Sequence, residues 1–191
     1  MKKFPIHYNA PVIISFSLLS LLALGLNILT GGASNKLVFS VYRCSLRDVL
    51  AYPRFFLHVL GHSGYSHYIS NMLLLLVTGP AMEEKYGSRQ ILIFIVITAF
   101  VTGLAQFLCF PGSALLGASG VVFMLIMLSS LSGARDGAIP LTLILVAALY
   151  LGGEILNGVT KTDQISQFTH ILGGAIGAAL GFVLARAGRK P

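Results

Sequence analysis

Long apolar runs separated by short polar turns make up most of this chain. The runs fall at Pro11–Leu29, about Ser66 to Met82, Gln90 to Phe110, Gly117 to Ser132, Ile139 to Leu156 and Gln167 to Ala187. About 20 apolar residues of helix cross a bilayer core, so the pattern predicts an all-α membrane protein of six transmembrane helices. Turn chemistry marks the breaks at Tyr86-Gly87-Ser88, Phe110-Pro111-Gly112, Gly133-Ala134-Arg135-Asp136 and Asn157-Gly158. The fourth run is short. From Gly120 to Ser132 it has 13 residues, and at about 1.5 Å each it reaches only about 20 Å of a 30 Å core. One end of it is therefore expected to lie sunk inside the membrane.

The first run follows Met1-Lys2-Lys3 and has the look of a secretory signal, but it is longer than the 7–15 residues of a signal core and is read as a retained span. After it comes a long loop, about residues 32–57, carrying Lys36, Arg43, Arg47 and Arg54 among Val, Tyr, Leu and Phe side chains. Loops of this length in compact proteins are usually functional. Its apolar content predicts an ordered one.

Composition changes the picture only by narrowing it. Of 191 residues, 55% are hydrophobic and 10% charged, with a mean hydropathy of +0.85, whereas an ordinary soluble domain carries about 25% charged residues. Six spans consume roughly 120 residues, so residues 1–191 read as a single membrane domain. The formal charge of +7 records topology and not nucleic-acid binding, because no patch interleaves Arg with aromatic residues. With the N-terminus in the cytoplasm, eight of the 13 basic residues fall inside and five outside, four of those five in the long loop. That bias predicts cytoplasmic N- and C-termini. The short connections and the lack of a long targeting extension suit a bacterial inner membrane. Cys44 and Cys109 are too few for a disulfide scaffold, and whether they pair is left open.

Polar residues at membrane depth are costly and mark function. His58, His62, His67 and Asn71 open the second span, Gly117-Ala118-Ser119-Gly120 the fourth and Thr169-His170 the sixth. With this topology all three openings lie near the outer face. Ser119 then sits at a helix N-terminus whose N–H groups suit a developing oxyanion, and His170 is placed to be its general base. His67 and Asn71, four residues apart, share a helix face and are candidate oxyanion donors with the Ser119 backbone. Gly173, Gly177 and Gly181 form a small-residue ridge that permits close helix packing. No Asp or Glu stands near His170 in its span, so the arrangement is a dyad, with Phe123 as the ring on which His170 packs.

These residues resemble the rhomboid family of intramembrane serine proteases, over about Arg54 to Gly181. The resemblance rests on His62-x4-His67-x3-Asn71, Gly117-Ala118-Ser119-Gly120 and His170-x2-Gly173-x3-Gly177, in that order. It implies hydrolysis of a peptide bond in or beside a substrate's transmembrane segment by Ser119 and His170, six helices around a water-filled cavity open to the outside, and no cofactor. The implied partners are transmembrane protein substrates and the lipid bilayer. The chain departs from the family at Pro53-Arg54, where a Trp-Arg pair is frequent, at Phe123, where Tyr is frequent, and at Thr169, where Ala is frequent. Glu83 resembles a family glutamate that ties the cytoplasmic loop and is read as structural.

Other functions fit less well. A histidine metal site at His58, His62 and His67 lacks the carboxylate of a His-Glu-x-x-His motif. A non-catalytic rhomboid-like chaperone that binds transmembrane segments is the alternative, but such proteins typically lack the Ser or the His. A transporter would show internal duplication, and none is present. Arg54 and Glu154 read as anchoring or satisfied polar groups, and the fifth span reads as a substrate gate. The physiological substrate and the oligomeric state are not legible.

Overall fold

The computed structural model describes residues 8–131, 141–142, 144–146, 148–149 and 164–187. Its helices are α1 (Pro11–Leu29), α2 (Ala51–Leu57), α3 (Tyr65–Tyr86), α4 (Ser88–Cys109), α5 (Ser119–Leu131) and α6 (Gln164–Ala187). They fall on the first, second, third, fourth and sixth predicted spans, with α2 inside the long loop. Most of the predicted fifth span, with Glu154, lies outside the described residues, and the expected gate with it.

α1 begins where Pro11 presets the backbone angle. Its next two N–H groups have no acceptor within the helix. Val12 N donates to Glu83 Oε1 and Ile13 N to Glu83 Oε2, both at 2.9 Å. Glu83 therefore caps α1, a structural role, as its reading in the sequence expects. Only 3% of it is exposed, and two donors plus the positive end of the helix dipole supply what a cation otherwise would. Hydrogen bonds to charged groups contribute about 1.5–3 kcal/mol each, so Glu83→Ala is expected to cost about 3 kcal/mol and Glu83→Gln less. Thermal denaturation in detergent micelles tests this, and an unchanged midpoint in Glu83→Ala would refute the capping role.

The core is shared by all the long helices. Ile13 of α1 packs on Gly79 of α3, where a Cβ would stand 2.7 Å from Ile13 Cδ1. Around α5, Val121, Val122, Met124, Leu125 and Leu128 are sealed from solvent. α5 has 13 residues, as the short fourth span predicts, and its largest interface is with α6. The spacing of Gly173 and Gly177 explains that interface. A Cβ on either would overlap backbone atoms, the carbonyl oxygen of Gly120 or of Met124, so the two backbones touch. Outward from this core, Leu22, Ile28, Leu73, Val77, Leu92 and Val183 are exposed, and α1 and α4 are long and apolar enough to cross a membrane.

The long loop is ordered, and it qualifies the all-α expectation. A π-helical turn (Asn35–Phe39) leads to β1 (Val41–Tyr42), and β1 pairs antiparallel with β2 (Ala114–Leu115), Val41 opposite Leu115. Arg54 is the hub. Its Nε donates to Leu37 O at 2.9 Å, its Nη1 lies 2.8 Å from Asp48 Oδ2 and 3.7 Å from Cys44 Sγ, and the guanidinium stacks 4.7 Å from the Tyr42 ring centre. Arg54 is thus a satisfied polar group, with Tyr42 as its aromatic neighbour in a chain without Trp. Both cysteines are free thiols.

The Arg54 hydrogen bond, followed by the Leu50 N–H, holds the Asp48 carboxyl below its ordinary value of 3.8. A depressed folded pKa stabilises the loop above the unfolded value and loses that contribution as pH falls through the folded one. Hydrogen exchange of residues 41–54, corrected for intrinsic rate, is expected to lose protection in this acid range. Asp48→Asn should flatten the dependence, and an unchanged pH profile in that variant would discard the account.

Candidate active site

The approach to α5 is built by three local constraints. Gln106 Nε2 donates to Ser113 Oγ at 3.0 Å and to Ser113 O at 3.2 Å, closing the Phe110–Ser113 turn onto α4. Gly117 N then donates to His58 O at 2.9 Å. Gly117 itself has φ +127°, a conformation that disfavours any side chain, and its bare Cα lets the His67 ring close in, since a Cβ would stand 2.9 Å from His67 Nε2. The first α-helical bond after this point is Val122 N to Ala118 O at 2.9 Å. Ser119 therefore occupies the first turn, where backbone N–H groups have no intrahelical acceptor.

α3 supplies the opposite wall. His67 and Asn71 lie one turn apart, and Asn71 Nδ2 donates to His67 O at 3.0 Å, which ties the amide to its own helix. Ser70 Oγ donates to the same carbonyl at 3.0 Å. α6 brings His170, whose ring centre lies 4.6 Å from that of Phe123 at an interplanar angle of 44°. Phe123 is the ring on which His170 packs, tilted and not parallel. Behind Ser119, Gly120 faces the methyl groups of Thr102 and Thr169, each 3.4 Å from where a Cβ would be.

These walls enclose a cavity of about 460 Å³. Ser119, His170, His67, Asn71 and Phe123 all line it, so the structure brings together side chains that the sequence places on three separate helices. Of the four glycines singled out around it, Gly173 and Gly177 bring backbone against backbone, Gly117 makes room for the His67 ring, and Gly120 is the residue that Gly173 meets. His58 and His62 are not among its lining residues. His58 Nε2 is 3.0 Å from Ala99 O and His62 Nδ1 is 3.0 Å from Leu60 O, so each ring binds a different carbonyl. Ser63 and Ser70 also line the cavity and were not anticipated. The spacing of Ser63, four residues before His67, was the available signal.

The family model of the Rhomboid domain matches residues 50–187. The chain belongs to the rhomboid family. Among curated rhomboid relatives, RHOMBOID-like protein 4 of Arabidopsis thaliana is 35% identical over 130 residues, 64% of this chain and 32% of that protein. Rhomboid protease GlpG of Enterobacter sp. (strain 638) is 33% identical over 135 residues, 68% of this chain and 47% of its own length. The chain thus aligns with a third to a half of the length of these relatives. As a rhomboid it is an integral membrane protein, and its outward apolar helix faces are those a hydrocarbon environment requires.

Proposed function

We propose that this rhomboid is an intramembrane serine endopeptidase acting on transmembrane segments of membrane proteins. One observation carries the reading: Ser119, His170, His67 and Asn71 line a single cavity at the start of a short buried helix. In the proposed reaction Ser119 Oγ attacks a substrate carbonyl carbon while His170 accepts the hydroxyl proton. The tetrahedral oxyanion is held by the Ser119 N–H, His67 and Asn71. His170 then passes its proton to the departing amine, leaving an acyl ester on Ser119. Water attacks that ester, its proton goes to His170 and then to Ser119, and the acid product is released.

The chain is proposed to cross the membrane six times, with both termini cytoplasmic and the cavity open to the extracytoplasmic side of a bacterial inner membrane. The excess of basic residues on the inner segments supports that orientation. A substrate helix must unwind to reach Ser119, and each Gly near its outer end weakens it by about 1 kcal/mol. Substrates with small residues there are favoured.

The test is labelling of purified protein with a fluorophosphonate probe alongside cleavage of a single-span test protein in liposomes. Covalent labelling at Ser119 with cleavage is the expected result. Well-folded protein that binds the test protein without labelling or cutting would turn the assignment to a non-catalytic, segment-binding rhomboid.

A further inference from the structure

The short segment between the 3₁₀ turn (His58–Leu60) and α3 is held on both sides of Ser63. Asn35 Nδ2 donates to His62 O at 2.9 Å, and the missing side chain of Gly61 lets Phe39 O lie against its Cα. Gly64 then begins α3, its carbonyl accepting from Tyr68 N at 3.0 Å. Ser63 is exposed and lines the cavity, yet its backbone is fixed.

A hydroxyl and a backbone N–H of Ser63 both meet one ring nitrogen of His67. Ser63 Oγ is 3.1 Å from His67 Nδ1, and the Ser63 backbone N–H points at the same atom with N···N 3.5 Å. A backbone N–H can only donate, so this long contact favours Nδ1 as an acceptor. A neutral imidazole that accepts at Nδ1 carries its proton on Nε2. That Nε2 lies against Gly117, two residues before Ser119. The His62 ring closes the other side, edge-on with centres 5.0 Å apart.

We propose that Ser63 is a positioning residue that fixes His67 as the Nε2–H tautomer and aims that donor at the loop carrying Ser119. The inference deepens the proteolytic reading and rests on it for its functional consequence. It does not rest on it for the tautomer. With Nδ1 already accepting from Ser63, His67 can serve the oxyanion only through Nε2, and only as a donor, which is the role an oxyanion partner must fill. Without Ser63 Oγ, one long backbone contact is left to hold the ring and its tautomer.

The experiment combines a spectroscopic and a kinetic readout on Ser63→Ala and Ser63→Thr in the full chain. With ¹³C,¹⁵N-histidine, the ring shifts of His67 distinguish the two tautomers, the wild type is expected to be Nε2–H, and His67→Gln supplies the assignment. Ser63→Ala is expected to raise the Nδ1–H fraction. It should also lower kcat for the single-span test protein by about five- to tenfold, the scale of one hydrogen bond, with KM within about twofold. Ser63→Thr restores both. A wild-type His67 protonated on Nδ1, or a Ser63→Ala variant whose tautomer is unchanged, overturns the proposal. If the wild type neither labels nor cleaves while the tautomer responds to Ser63, the proteolytic reading falls and the positioning of His67 by Ser63 stands.

Discussion

Ser119→Ala is expected to reduce cleavage of a transmembrane test protein by about ten-thousand-fold or more, with His170→Ala falling to a similar level. The two losses should not multiply. Ser119 has no nucleophilic power at neutral pH without a base, and a base without the hydroxyl has no proton to take, so the double variant should be no slower than either single one. Phe123→Ala is a graded comparison. It removes the ring on which His170 rests, 4.6 Å away, but leaves both proposed reacting groups, and a loss of about tenfold is expected from misorientation alone. Gel-based cleavage rates in liposomes measure all four proteins, with circular dichroism melts to show that each is folded. Residual activity of Ser119→Ala above about one per cent of wild type would remove Ser119 from the nucleophile's role, since loss of a true nucleophile leaves far less.

Why the proposed pair is legible in the sequence, while much around it is not, follows from the kind of signal each element leaves. α1 matches its predicted bounds because a proline start and a long, uncharged, mostly apolar run are local properties of Pro11–Leu29. The short α5 and the glycine ridge of α6 are also local, in a length and a spacing. His170, His67 and Asn71 stand out in the sequence because polar groups at membrane depth are rare enough to be informative singly. The pairing of β1 with β2 left no such trace. It is two residues long on each side and joins Val41 to Leu115 across the whole of α2, α3 and α4, and so short a strand has no alternation to detect. The partners of buried charges were hidden for the same reason. Glu83 meets the start of α1 across 70 residues of sequence. Asp48 and Arg54 are close in sequence, but what makes Arg54 a hub is its contact with Tyr42 and Leu37, which depends on the fold of the loop. The histidines show the limit most clearly: His58, His62 and His67 look alike in sequence, and only their carbonyl and serine partners separate two ring-to-backbone contacts from one ring turned to the cavity.

Gly173→Leu is expected to abolish activity, and even Gly173→Ala should be severe, because of where the added atoms must go. A Cβ at Gly173 would overlap the carbonyl oxygen of Gly120 and stand 2.9 Å from its Cα. Those are backbone atoms, which cannot rotate away as a side chain can. Two effects oppose each other in Gly173→Ala. Alanine favours the helix by about 1 kcal/mol over glycine, while overpacking costs about 1–3 kcal/mol and more when backbone must shift. The overlap wins, and α6 has to move off α5. Catalysis then suffers beyond stability, since Gly173 lies three residues after His170 and its contact, Gly120, follows Ser119 directly. Separating these helices separates His170 from Ser119, the proposed base and nucleophile, and a displacement of about 1 Å costs about a hundredfold in rate. Gly177, facing the Met124 carbonyl, should behave alike in stability but more mildly in rate, being a further turn from His170. Gly181 meets only the Leu131 side chain, and Gly25 has nothing within 4 Å, so the expected order of damage for alanine is Gly173, Gly177, Gly181, Gly25. Cleavage rates and thermal midpoints measured on the four variants test it. If Gly173→Ala kept wild-type activity while Gly25→Ala lost it, the close contact of α5 and α6 could not be what brings Ser119 and His170 together.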